Sequence, residues 1–147
     1  MKKLLMASLT LTVFATALIL FQISSCKKAN AQTPPTTYSI QGLWIGTYSV
    51  DGQPGLGQQY FSFVIKPDGT MINDTKGGQQ HISLGNWSLT GDTLSCSFTC
   101  VYGASSNIGV TETTKAYFDK TGKLTSGIWK NIAPINGSGT FTLARIN

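Results

Sequence analysis

Ionisable side chains are scarce in this chain. Its 147 residues hold six Asp and Glu and a single histidine, which leaves little material for acid–base catalysis or a metal cluster. Four of the six carboxylates, Asp51, Asp68, Asp92 and Asp119, stand in glycine-containing, turn-like stretches, where Asp serves to hydrogen-bond the backbone. Only Asp74 and Glu112 remain for acid–base work, on segments not adjacent in sequence, and His81 reads as a solvated strand end. No nucleophile elbow, phosphate loop or zinc spacing is present. The chain reads as a binding protein rather than an enzyme, with no metal and no cofactor. Sustained helical periodicity is also missing beyond the first 25 residues.

Cysteine is limited to three residues. Cys96 and Cys100 lie four apart on one candidate strand, so their Cα atoms should be roughly 13 Å apart, beyond the ~7 Å limit for a disulfide. They read as separate core thiols flanking Phe98. Cys26 is different. It follows Lys2-Lys3, an apolar run from Leu4 to Ile23 and the small residues Ser24-Ser25, the order expected of a lipoprotein signal with Cys26 as the lipid-attachment residue. Cleavage after Ala29-Asn30-Ala31 and an uncleaved anchor are the competing readings. The expected organisation is a signal peptide over 1–25, a lipidated tether with Pro34-Pro35 over 26–37 and one domain over 38–147. Its place would be the bacterial cell envelope, bound through the N-terminal lipid to the periplasm-facing outer membrane, with a secreted soluble form as the alternative.

A strong positive charge is missing too once the leader is set aside. Eleven Lys and Arg face six acids, but Lys2, Lys3, Lys27 and Lys28 belong to leader and tether, leaving seven against six. A nucleic-acid partner loses its electrostatic basis.

What the domain does have is aromatic residues, glycine turns and period-two alternation. Three Trp, five Tyr and five Phe provide material for a core. Eight strands are predicted: Gln41 to Val50, Gln59 to Lys66, Thr70 to Asp74, His81 to Leu89, Thr93 to Tyr102, Ile108 to Phe118, Lys123 to Lys130 and Thr140 to Ile146. Leu94, Cys96, Phe98, Cys100 and Tyr102 should share the inner face of the fifth. Connections after even strands are tight, and those after odd strands are longer. In an up-and-down barrel this gathers tight turns at a closed floor and long loops at an open mouth. An open two-sheet β-sandwich is the alternative.

Gly42-Leu43-Trp44 in the first strand and Arg145 in the last resemble the calycin superfamily of lipocalin-like and avidin-like barrels. The resemblance implies an eight-stranded antiparallel barrel whose floor is closed by Arg145 over Trp44. The biotin-contacting residues of avidins are not reproduced, and no long helix follows the last strand. Tyr48, Trp87 and Trp129 are the candidate ligand-binding residues, two indoles as a stacking wall and one phenol to orient the ligand. The expected function is binding of a small hydrophobic or planar ligand in the cup. The alternative is a protein-interaction or inhibitor module whose mouth loops meet another envelope protein.

Overall fold

A computed structural model describes residues 37–132 and 134–146. The leader, Cys26 and the tether up to residue 36 lie outside the described residues. Eight antiparallel strands follow one another in sequence order and close into a barrel, β1 Gly42–Tyr48, β2 Gln59–Ile65, β3 Thr70–Lys76, β4 Gln80–Thr90, β5 Thr93–Tyr102, β6 Thr111–Phe118, β7 Lys123–Asn131 and β8 Ser138–Ile146. Closure comes from β1, which pairs with β2 on one side and β8 on the other. The last strand thus has no free edge to template aggregation, and the open sandwich is excluded.

Period-two alternation decides which side chains enter. On β5, Leu94, Cys96, Phe98 and Cys100 are buried while their neighbours are half-buried or exposed. Both thiols are free and buried, as their spacing requires. Tyr102 departs from the expected alternation and is exposed. The register slips between Ile82 and Ser83, so that Ile82 faces Tyr102 while Ser83 faces Cys100. The extra residue, Val101, is a bulge, and a one-residue bulge turns every later side chain to the other face.

The tight turns do gather at one end. At β2–β3, Asp68 accepts hydrogen bonds from the backbone N–H and the hydroxyl of Thr70. At β6–β7, Asp119 accepts from the backbone N–H groups of Thr121 and Lys123 and from the Thr121 hydroxyl. These bonds hold both carboxyls below the usual carboxylate range. At the other end, three connections are long. The fourth, β3–β4, is shorter than expected because both strands extend to leave only Gly77-Gly78-Gln79 between them.

Aromatic rings fill the middle and floor. Phe61, Phe63, Phe98 and Phe141 meet edge to face with centroids 5.0 to 6.0 Å apart, an arrangement their quadrupoles favour. Below them Trp44 is fully buried, donates its indole N–H to the Ile40 carbonyl at 2.7 Å and stands perpendicular to Phe118 at 5.8 Å.

Residues ahead of β1 finish the floor. Ile40 is buried, and the Tyr38 N–H donates to the Lys120 carbonyl in the β6–β7 turn. Arg145 lies opposite Trp44 in the β1–β8 ladder. Its guanidinium covers the Tyr38 ring at 5.2 Å, in place of the Trp44 indole that the resemblance implied, and donates to the Gln41 carbonyl at 3.1 Å. It reaches both by crossing Gly42, where an added Cβ would come within 3.1 Å of Nη2 and φ is +129°. The glycine of Gly42-Leu43-Trp44 is therefore the seat of the arginine.

Candidate functional site

Above the phenylalanine layer the inward positions change character. Met71 at the floor is followed along β3 by Asn73 and Thr75, and Phe118 is preceded along β6 by Ala116, Thr114 and Glu112. The same alternation that fills the floor thus points polar groups into the mouth. They surround a cavity of about 170 Å³ whose lining includes Tyr48, Phe61, Asn73, His81, Glu112 and Trp129. Pockets for drug-sized ligands run to ~300–1,000 Å³, so this cup has the size of a single ring system.

Two of the three candidate ligand residues line it. Tyr48 and Trp129 meet perpendicularly at 5.8 Å, and Tyr48 leans on Phe61 at 5.4 Å. The Trp129 indole is oriented by donating its N–H to the Ser49 carbonyl at 2.9 Å, a bond that ties β7 to the start of the β1–β2 loop. Trp87 is not in the cup. Counting inward positions down β4 from His81 through Ser83 and Gly85 places it near the floor, where its indole donates to the Lys66 carbonyl at 2.8 Å and its backbone N–H to Gly69. It packs half-buried against the core and braces the β2–β3 turn. The expectation that its indole forms a stacking wall of the cup is corrected by strand direction, since β4 runs from mouth to floor.

Glu112, one of the two carboxylates left spare by the sequence, was not among the expected cup residues. Phe98 and Asn131 are its ladder partners on β5 and β7, so it shares their inward face. Its Oε1 is sealed from solvent with no hydrogen-bond partner among the described residues. Burial pushes its carboxyl from 4.5 up to about 8. Burial, then the nearby Glu112 charge, raises Tyr48 above the usual phenol range, and burial lifts the Cys96 thiol to about 12. Asp74, the other spare carboxylate, is elsewhere: it accepts from the Gln80 amide at 3.1 and 3.2 Å in an exposed contact. The two do not form a catalytic pair.

His81 is likewise more than a solvated strand end. Its ring pairs with the Asn107 amide at 3.0 Å and lines the cup. The ring lies where a Cβ on Gly103 would be, 2.1 Å from Cδ2, so only glycine there lets the β5–β6 loop close over the histidine. Among the described residues no group of three or more His, Cys, Asp or Glu could hold a metal ion. A signal for Glu112 did exist in the sequence: it has the parity of Ala116 and Phe118, so an inward β6 face carries one carboxylate.

The class that fold and site define is a small closed lipocalin-like barrel with a polar, aromatic-walled cup. Compared with known proteins, the chain matches no family model, and no curated protein and no solved structure matches it.

Proposed function

We propose that this protein is a binding barrel, anchored through lipid at Cys26 to a bacterial envelope membrane, that holds a small planar ligand in its mouth cavity. The observation that carries the ligand reading is the cup itself: about 170 Å³ lined by Tyr48, Phe61 and Trp129 together with a few converging polar groups. Aromatic walls with sparse, placed polar atoms are the usual make-up of small-molecule sites. An NMR titration with phenol and 2-phenylethanol tests it. Shifts should concentrate on the Trp129 indole and on Tyr48, and Trp129→Ala should weaken them. Shifts confined to the outer wall would sink the reading. For the anchor, the wild type should partition into detergent and Cys26→Ala should not.

A second reading has its own support. Leu56, Ile108 and Ile132 on the mouth loops are about half exposed, which suits contact with another envelope protein. In that reading the cup is incidental, and the loops carry affinity.

A further inference from the structure

A carboxyl with an unpartnered oxygen closed off from solvent inside a barrel is costly whether protonated or ionised. It persists where a partner satisfies it. Glu112 has an orphaned, solvent-inaccessible Oε1 in the wall of the cup, and among the described residues no Lys or Arg lines that cavity. The nearest lysines along its own and the neighbouring strand, Lys115 and Lys130, are exposed. The titratable groups that share its surroundings are Tyr48 from β1, His81 from β4 and Cys96 and Cys100 from β5. The lining residues of β3 and β7 add none.

The rest of the lining has the same electrical sense. The faces of the Tyr48, Phe61 and Trp129 rings are electron-rich and attract cations. Asn73, Asn107 and Asn131 bring side-chain carbonyl oxygens that can accept from an N–H. A cup with acceptors, ring faces and one unpaired carboxyl lacks only a cation.

Building on the ligand-cup reading, we propose that the ligand is a small primary amine in its cationic form, its ammonium seated on the Glu112 carboxylate and its planar body against Tyr48 and Trp129. A free amine has three N–H donors for Glu112 and the asparagine carbonyls. Seating it converts the carboxyl to carboxylate, and the displaced proton passes to solvent. Burial holds the proton on Glu112 up to about pH 8, while an alkylammonium keeps its own to about pH 10. Amine affinity should therefore rise with pH up to about 8 and level off before the ligand itself deprotonates.

The experiment compares 2-phenylethylamine with its neutral counterpart 2-phenylethanol by calorimetry from about pH 6 to 9. We expect the amine to bind about tenfold or more tightly at pH 8, with proton release revealed by buffers of different ionisation enthalpy. Glu112→Gln should weaken the amine alone and flatten its pH profile. If the alcohol binds as tightly as the amine, or the preference survives Glu112→Gln, the amine inference is overturned while the cup reading stands. Affinity that instead falls as pH rises through 8 would mean that Glu112 acts as a neutral donor, which overturns the inference too. If neither compound binds, the cup reading fails and this inference with it. Should Glu112→Gln not fold, the wild-type comparison of amine and alcohol across pH decides alone.

Discussion

The floor and mouth of this barrel are built from the same eight strands and the same alternation, yet they are opposite materials. At the floor Trp44, Phe63, Leu94 and Leu124 have no measurable exposure, and the Trp44 indole N–H finds a partner although Arg145 Nε does not. At the mouth Asn73 and Ser83 are buried beside an empty volume, and Glu112 keeps an orphaned oxygen. Close packing and satisfied polar atoms are what stabilise a fold. A region that departs from both within one small core is where binding is expected to have shaped the residues.

Substitution at the floor should cost the most stability. Trp44→Ala removes a fully buried ring that contacts Phe118 and orders the Ile40 segment, and should cost about 3–5 kcal/mol by denaturant unfolding. Binding per folded molecule should change little. A loss below about 1 kcal/mol would mean that the floor is not the stabilising half.

At the mouth the sign reverses. Glu112 holds its proton more tightly folded than unfolded, with its carboxyl pushed from 4.5 to about 8. Below pH 4.5 both states are protonated and the group contributes no difference. Between 4.5 and 8 unfolding releases a proton, so wild-type stability should fall as pH rises across that window, by on the order of a few kcal/mol, and then level off. Glu112→Gln should remove that decline and be the more stable protein at pH 8 and above. Thermal melts across the range check it, and parallel curves for the two proteins would contradict the burial of this carboxyl.

A smaller effect tests how the floor is latched. Arg145 and Tyr38 should show a coupling of about 0.5–2 kcal/mol in a double-mutant cycle of Arg145→Ala and Tyr38→Ala. The corresponding coupling between Arg145 and Trp44 should be smaller, because the ring under the guanidinium is Tyr38. The reverse ranking would restore the stacking expected from the calycin resemblance.

These cases also mark how far the sequence was legible. Strand number, order and closed ends follow from alternation and glycine turns, because both are local signals. Tyr102 was misplaced because a bulge leaves no mark in composition, and it inverts parity only once the partner strand is known. Trp87 sits near the floor because β4 runs from mouth to floor, a direction that aromatic content alone does not carry. Tyr38 was missed because it precedes β1, and only closure of the barrel brings the β6–β7 turn to it. Glu112 was legible by parity but not by burial, since the sealing of its Oε1 depends on residues from other strands.

The smallest expected effect separates the two functional readings. Leu56 and Ile108 stand about half exposed on different mouth loops, and exposed substitutions of this kind usually shift stability by no more than about 0.5 kcal/mol. Leu56→Ser with Ile108→Ser should therefore melt with the wild type. If the cup carries function, this double variant should bind 2-phenylethylamine as the wild type does, since neither residue lines the cavity. If the loops grip another envelope protein, the variant should lose that partner in a cross-linking comparison with wild type while its cup still binds the amine. Loss of amine binding without loss of stability would show that rim and cup work as one surface, and would erase the division of the mouth into a ligand site and an independent contact face.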